Sequence, residues 1–575
     1  MFYKYINEYL KDPKEGYKGI FLMIGVLIAT VGIVALNGLF GSWYTMFWDA
    51  LVASDMALYT TSIQSFVMLT AGFIGISVFK DYIVGVLEIN WRNWLTTKLL
   101  NKYTADEENN YLDLVRHPKE IENPAQRIQA DVKGYVKQSL LLGSNLFQAA
   151  LTICLFIGQL WVIGGALTIS SITIPGYLVW VALLYSAAVT LITNLLGSPL
   201  AKLNNNQKNL EAEFRSNLEL ISNDAPSIEQ EHGRKYYQES LKSNVDAIKE
   251  NSYKILGVKI NLTAFNSFYQ QISGLIPYIL AAPLLFSGVI NVGQLMEIGF
   301  AFAQIQFSLS WFSDSYESLA HYKTNAKRIA ELENCMSKGG LTTSARDIRL
   351  RESNTDELSV HNLDVAYPAN SKFIMRNLNL SFNRGENTLI KGRSGLGKST
   401  LFSVMSGSWK YGRGEVSVAD FKSMCFLPQR PSLPNDTLKA VLAYPDPVNT
   451  YTDDQYEAAL RDVGDLDSFI ELLDTKAAWS KRLSPGQQQR ISFARALLKK
   501  PDWLFLDEAT ASLDPENEER MYSLVRDKLT TTTFVSIAHR PSVSIFHNRV
   551  ITLDVDEDRN VRVSDESEPE RRCVV

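Results

Sequence analysis

The sequence predicts two unlike halves: an α-helical membrane domain of about six transmembrane helices, followed by an α/β domain of the phosphate-binding-loop type. Three observations carry this. Long uncharged runs recur through residues 1–320, whereas residues 340–575 read as a soluble, mixed sequence. Gly392-Arg-Ser-Gly-Leu-Gly-Lys-Ser-Thr400 fits G-x-x-x-x-G-K-[ST] between a strand-like run, 387–391, and a helix-like run, 401–405. Two further apolar runs end in groups suited to chemistry: Pro501-Asp-Trp-Leu-Phe-Leu-Asp507-Glu508 and Phe534-Val-Ser-Ile-Ala-His539. A length of 575 residues is enough for several domains. The net charge of −5 gives no reason to expect a nucleic-acid partner. The four cysteines, Cys154, Cys335, Cys425 and Cys573, show no paired spacing, so neither a disulfide framework nor a metal site is expected from them.

Residues 1–330 form the membrane half. Met1–Lys18 mixes charges of both signs without a cleavage-site pattern, so no removable signal is expected. Ile20–Phe40 is uncharged and long enough to cross a bilayer, and Met56–Phe79 is a second such run. No charged residue occurs from Gln138 to Ala201, and the polar stretch Thr168–Gly176 divides that run in two. The six spans are expected near 20–40, 56–86, 138–165, 173–200, 258–288 and 293–318. The connections after the first, third and fifth spans lack Lys and Arg, whereas those after the second and fourth are rich in them, from Arg92 to Lys137 and from Lys202 to Lys259. By the positive-inside rule both long connections and both termini face the cytoplasm. Helical periodicity continues through the long connections, as at Leu210, Phe214, Leu218 and Ile221, so the spanning helices extend beyond the bilayer and are joined by short turns. Asn261, Asn266, Gln270, Gln271, Glu297, Asp314 and Glu317 lie in or near the spans. Such groups face a wet cavity, bond to neighbouring helices or lie at the membrane surface; Glu297, close to the expected outer boundary, is expected at the membrane surface.

A charged linker, 331–356, leads to the nucleotide-binding domain, 357–553. Tyr367, after the alternating run Leu358–Leu363, is placed to stack on adenine. Gly392, Ser394, Gly395 and Gly397 let backbone N–H groups wrap phosphate, and the following helix start at Lys398, Ser399 and Thr400 adds partial positive charge. Lys398 reaches the β- and γ-phosphates, and the Ser399 hydroxyl ligates Mg²⁺. Asp507, at a strand end, is the second expected metal residue, and Glu508 polarises the attacking water. His539 is suited to a hydrogen bond with the γ-phosphate, and Gln429, in Phe426-Leu-Pro-Gln429, to sensing Mg²⁺ and the attacking water.

Leu483-Ser484-Pro485-Gly486-Gln487-Gln488-Gln489-Arg490 resembles the signature motif of ATP-binding cassette (ABC) transporters. With the phosphate loop, Gln429, Asp507-Glu508, Ser512-Leu513-Asp514 and His539 in family order, the resemblance covers residues 358–553. It implies an exporter-type ABC fold, ATP and Mg²⁺ as cofactors, and ATP contacts from Ser484, Gly486, Gln487 and Asp514. It also implies that the signature of one subunit completes the ATP site of another. Pro485 stands where the usual motif has glycine; proline donates no N–H but is tolerated at a helix start. In the membrane half, Ile89–Thr96, Tyr111, Glu122–Asp131, Glu211–Arg215 and Ile290–Met296 resemble the SbmA/BacA-type membrane domain, which peroxisomal fatty-acyl and lysosomal cobalamin half-transporters share. The usual Asn-Pro-Asp-Gln-Arg is here Asn-Pro-Ala125-Gln-Arg127. Trp91, Arg92 and Arg127 are expected to fix the cytoplasmic helices.

The resemblance implies an ATP-driven transporter that works as a homodimer in a lipid bilayer. The expected setting is a bacterial inner membrane, and the expected cargo a peptide, cobalamin or another bulky hydrophilic solute taken up. The alternative is export of lipid, fatty-acyl or drug-like cargo. The uncharged runs argue against a soluble regulatory ATPase, and intact Glu508 and His539 against an ATP-gated channel. His117–Arg127 and Ser222–Ile228 are expected to carry motion between the halves. Residues 554–575, charge-rich and poor in apolar groups, are expected to be a mobile tail.

Overall fold

A computed structural model describes residues 4–105, 111–112, 114, 121, 123–164, 166–169, 172–337, 346–352, 357–368 and 372–567. Two compact units emerge: residues 1–105 with 121–337, and 106–120 with 338–575.

The first unit is helical. Its elements are α1 (Lys4–Leu10), α2 (Gly16–Val52), α3 (Met56–Tyr103), α4 (Val132–Ile163), α5 (Tyr177–Asn223), α6 (Arg234–Phe286), α7 (Val292–Asp314) and α8 (Tyr316–Ser337). A short hairpin, β1 (Ala166–Ile169) and β2 (Ile172–Pro175), sits where the polar stretch divides the third span from the fourth. The α2–α3 turn is closed by Asp55, whose carboxylate accepts from the N–H groups of Ala57 and Leu58 at the start of α3. Among the described residues, four helices are long and apolar enough to cross a bilayer: α2, α3, the helix ending at Ile163, and α5. The fifth and sixth expected spans lie in α6 and α7, which carry more polar residues, Gln270, Gln271 and Gln306 among them. As the periodicity implied, α3, α5 and α6 run well past the uncharged stretches, to 48, 47 and 53 residues. Phe156, Leu160, Leu178, Ala182, Ala281, Ile298 and Phe302 are fully buried where α4–α7 meet.

Glu297, expected at the membrane surface, is enclosed by protein. It is 8% exposed, and Thr45 Oγ1 donates to its Oε2 at 2.6 Å. The helix turn that starts α7 packs against α2, so a position near the end of the uncharged run is still enclosed by protein. Lys80 is handled in the same way, donating to Gln148 Oε1 at 2.8 Å. A polar group among packed helices is retained where a neighbouring helix supplies its partner.

The extensions beyond the spans are fixed by aromatic and ionic contacts. Trp91, 1% exposed, stacks on Tyr9 of α1 at 5.9 Å and meets Tyr135 edge-on at 5.8 Å. Tyr5 donates to Glu333 Oε2 at 2.9 Å, and Lys4 reaches the same oxygen at 2.6 Å. Arg127 opens a turn of π-helix, Arg127–Asp131, and is itself buried. Its guanidinium donates to the Arg328 carbonyl at 2.9 Å and to Glu331 Oε2 at 3.0 Å. Trp91 and Arg127 therefore hold the helices, as expected. Of the two segments expected to carry motion, 117–120 lie outside the described residues, and Ala225–Gln230 form a short helix.

Among the described residues the second unit holds two large sheets and a two-residue antiparallel pairing of Asp436–Thr437 with Lys476–Ala477. Its strands are β3 (Arg346–Glu352), β4 (Glu357–Ala366), β5 (Phe373–Asn383), β6 (Thr388–Gly392), β7 (Gly412–Val418), β8 (Met424–Leu427), β9 (Trp503–Asp507), β10 (Thr533–Ile537), β11 (Arg549–Val555) and β12 (Val561–Ser567). One sheet has the order β12-β11-β6-β10-β9-β8, the other β3-β7-β4-β5. β8, β9, β10, β6 and β11 are mutually parallel. Helix α9 (Lys398–Met405) packs between the sheets, with Leu401, Val404 and Met405 fully buried beside Phe505 and Val535. A helical lobe carries α10 (Asp453–Val463), α11 (Pro485–Lys499) and α12 (Pro515–Lys528).

Two expected boundaries shift. The linker is regular at both ends: α8 continues to Ser337, and β3 pairs in parallel with β7. Residues 554–567 are not a tail. Asp554 and Val555 complete β11, and β12 pairs antiparallel to it from Val561 to Ser567. An edge strand needs one buried face only, so a charge-rich sequence suffices. Val555 and Val561 pack on the core, and Arg549 Nε donates to Asp565 at 2.9 Å, which ties β12 to β11. The rest of the expected tail, 568–575, lies outside the described residues.

Trp91→Ala should cost about 3–5 kcal/mol of stability. The loss is expected as a lower melting midpoint of the full-length protein in detergent; an unchanged midpoint would remove Trp91 from the structural role assigned here.

Candidate functional site

The loop between β6 and α9 is shaped by glycines in conformations that side chains resist. Gly392 has φ +154°, and an added Cβ would stand 2.6 Å from the Leu553 carbonyl oxygen. Gly397 has φ +101°, and its Cβ would collide with Ile374 and Met375. Lys398 is 6% exposed, and its ammonium donates to the Gly392 and Arg393 carbonyls at 2.7 and 3.0 Å. Burial holds that ammonium below its ordinary pKa, with Glu508 and Asp507 pulling the other way. The loop thus curls around its own cation at the start of a helix, which fits an oligophosphate.

Ser399 Oγ donates to Asp507 Oδ1 at 2.8 Å. A hydroxyl and a carboxylate meeting at a phosphate loop form a hard-oxygen donor set that fits Mg²⁺. Ser399 and Asp507 would hold the ion, with the Gln429 side chain nearby; bound there, Mg²⁺ would neutralise phosphate charge. Burial raises the Asp507 carboxyl above its ordinary pKa, the Ser399 hydrogen bond opposes this, and neighbouring Glu508 adds to it.

Glu508 sits one residue past β9 in the left-handed region, φ +47°. Its N–H donates to the Ile537 carbonyl of β10 at 3.0 Å. That turn aims the carboxylate between two partners. Gln429 Nε2 donates to Oε2 at 3.1 Å, and His539 Nε2 lies 3.2 Å from Oε1. The three residues expected to be catalytic therefore meet around one carboxylate, beside the Ser399–Asp507 pair.

The remaining expected site residues are not drawn into that group. Tyr367 stands at the end of β4, 46% exposed. Ser394, Gly395 and Thr400 lie within the loop and the start of α9. Ser484 caps α11: its Oγ accepts from Gln487 N–H at 3.2 Å, and the Gln487 side chain accepts from Ser484 N–H at 3.0 Å. Pro485 occupies the first helical position, where its missing N–H is not needed for the helix, and Gly486 follows it against Leu513. Asp514 caps α12 by accepting from Asn517 N–H at 2.8 Å. Among the described residues, neither Ser484, Gln487 nor Asp514 bonds to the loop or to Glu508. Gln489 was not singled out from the sequence, yet it ties the site together. It is 2% exposed, donates to the Gln429 carbonyl at 3.3 Å and accepts from Ser512 N–H at 3.0 Å. The available signal was its place on the apolar stripe of α11, four and eight residues before Phe493 and Leu497.

Fold and site together define an ATPase joined to a helical membrane domain. Residues 7–286 match the family model for the ABC transporter transmembrane region 2, and residues 375–511 the ABC transporter model. An uncharacterized ABC transporter ATP-binding protein of Haemophilus influenzae is 30% identical, over 96% of this chain and 92% of that protein. The inner membrane ABC transporter ATP-binding protein YddA of Escherichia coli is 29% identical, over 92% and 93%. The human lysosomal cobalamin transporter ABCD4 is 25% identical, over 83% and 82%. A solved bacterial Atm1-family ABC exporter with ATP bound has the same fold, with a TM-score of 0.72 and 17% identity over 98% of both chains. The chain belongs to the ABC transporter family. It is a half-transporter, an integral membrane protein that couples hydrolysis of ATP, with Mg²⁺ as partner, to transport.

Because the folded state raises the Asp507 carboxyl, its ionisation costs stability: its contribution is intact below the unfolded carboxyl's pKa and lost as pH rises through the folded value. Asp507→Asn should therefore raise the melting midpoint of nucleotide-free protein at neutral pH while abolishing Mg²⁺-dependent hydrolysis. A lower midpoint for the variant would contradict the burial argument.

Proposed function

We propose that two copies of the chain form the working unit. Ser484 and Gly486 of each copy face the γ-phosphate held by Lys398 of the other. The observation that carries this is the separation just described: each chain has one phosphate loop and one signature, and the capped start of α11 shares no hydrogen bond with its own loop among the described residues. ATP draws the two ATPase domains together and hydrolysis at Glu508 lets them part. Tyr367 stacks on the adenine, and Gln429 and His539 hold Glu508 and the attacking water in line.

The cargo is a bulky hydrophilic solute, a peptide or a cobalamin, taken up across a bacterial inner membrane with both termini in the cytoplasm. The Lys and Arg asymmetry of the connections supports this orientation, and the SbmA/BacA-like segments and the cobalamin-transporting relative support this cargo class. The exporter fold supports a second reading, efflux of a lipid or drug-like molecule.

Glu508→Gln should lower ATP hydrolysis by at least about a hundredfold and stop cellular accumulation of labelled cobalamin or a labelled proline-rich peptide. Wild-type hydrolysis by the variant would remove Glu508 from its role, and equal accumulation of both solutes with and without it would favour efflux. In a variant with all four cysteines replaced by serine, Ser394→Cys together with Ser484→Cys should give an ATP-dependent cross-linked dimer. A product that stays monomeric would refute the composite site.

A further inference from the structure

Glu518 lies four residues after the Asp514 cap of α12 and is 3% exposed. The side chains that satisfy its carboxylate come from two loops outside that helix. Thr510, itself 3% exposed, donates its hydroxyl to Oε1 at 2.7 Å. Arg540 Nη1 donates to Oε2 at 3.3 Å, and Ser542 Oγ donates to the same oxygen at 3.4 Å. Arg540 Nη1 also donates to the Leu513 carbonyl at 2.9 Å. A carboxylate withdrawn from water is stable only where such donors face it, so the charge fixes the places of the loops that bring them.

Both loops lead to groups of the nucleotide site. Thr510 follows Glu508 by two residues, Arg540 comes directly after His539, and Leu513 precedes Asp514. The chain after Glu508 is wound in two successive turns: Ala511 N–H donates to the Glu508 carbonyl and Leu513 N–H to the Thr510 carbonyl, each at 3.0 Å. A displacement of Thr510 is therefore passed to Glu508. Glu508 itself has φ +47°, a conformation that persists only where its surroundings enforce it. His539 Nε2 meets Glu508 Oε1 at 3.2 Å from the second loop. Glu518 thus bonds to the Glu508 loop through one oxygen and to the His539 loop through the other. Among the described residues, none of Glu518, Thr510, Arg540 and Ser542 hydrogen-bonds to the phosphate loop. An anchor for α12 alone needs no charge at this depth, since a well-packed apolar side chain serves as well.

We infer that Glu518 is a positioning residue for hydrolysis: its two oxygens hold the loop after Glu508 against the loop after His539 and so set the approach of imidazole to carboxylate. The inference rests on the roles proposed above for Glu508 and His539.

The test measures ATP hydrolysis by full-length protein in nanodiscs, expressed per nucleotide site, with sites counted by equilibrium binding of a labelled non-hydrolysable ATP analogue. Glu518→Gln keeps the shape but has one carbonyl oxygen, so it accepts from Thr510 or from the Arg540 side and not from both. Its kcat per site should fall about 10- to 100-fold, the effect of a displacement approaching about 1 Å at the reacting groups. Analogue binding should stay at the wild-type stoichiometry and affinity, because the phosphate loop is untouched. Thr510→Val, which removes the hydroxyl at nearly constant volume, should show the same split, and Thr510→Ser, which restores the donor, should recover hydrolysis. Loss of folded protein cannot produce this pattern, since the rate is counted per site. Wild-type kcat per site in Glu518→Gln or Thr510→Val, loss of analogue binding in step with hydrolysis in both variants, or equal hydrolysis by Thr510→Val and Thr510→Ser would overturn the inference. Glu508→Gln, measured alongside, keeps the two readings apart. Wild-type hydrolysis by that variant would overturn the roles on which the inference rests, whereas an impaired Glu508→Gln beside an unimpaired Glu518→Gln would overturn the positioning role alone.

Discussion

The nucleotide site depends on the parallel register of three neighbouring strands. β6, β10 and β9 lie side by side, with Val535 opposite Thr388 and Asp507 opposite Ile537. Their carboxyl ends therefore reach the same edge, which is where open α/β sheets bind ligands. The phosphate loop leaves β6 there, Asp507 and Glu508 leave β9, and His539 follows β10. The register is held by side chains with no exposure at all, Leu389, Ile390, Leu504, Phe505, Leu506 and Val535. A slip of one residue along β9 would move Asp507 by about 3.3 Å and turn its side chain to the opposite face. The Ser399–Asp507 bond at 2.8 Å would not survive that change.

What could be read from the sequence follows from how local each determinant is. The phosphate loop, the signature and the carboxylates are short segments whose residue types state their own chemistry, and they were found. So were the long spanning helices, because uncharged runs and 3.6-residue periodicity are local patterns. Gln489 was missed because its role lies in two distant partners, Gln429 and Ser512. The edge strand β12 was missed because its apolar content is low, and its support comes from a core to which only Val561 among its residues contributes visibly. The partner that encloses Glu297 was not legible because it lies on α2, about 250 positions away in sequence.

Both units follow the same electrostatic rule. Charges occur inside the protein where a fixed partner awaits them: Glu297 with Thr45, Lys80 with Gln148, Arg127 with Glu331 and a backbone carbonyl. In the membrane unit these pairs join different helices and hold the bundle together, at a net gain that need not be large. The exception is the nucleotide site. Lys398 rests on two carbonyl oxygens rather than a full anion, Asp507 is held protonation-prone by burial, and Glu508 is kept in a backbone conformation that costs energy.

The first two departures share one remedy. An oligophosphate with its metal ion would give Lys398 an anion and Asp507 a cation, and a second copy of the chain would cover the opposite side of the nucleotide. In the cycle proposed above, the nucleotide-free ATPase domain would be the strained state. The free energy of filling the site would then be available to move other parts of the protein. A ligand shifts a conformational equilibrium by no more than its differential affinity for the two states. In the cycle proposed above, that difference would lie in the buried ammonium and the buried carboxyl, which the bound nucleotide and its metal ion would satisfy, and in the signature, which only the second copy would supply.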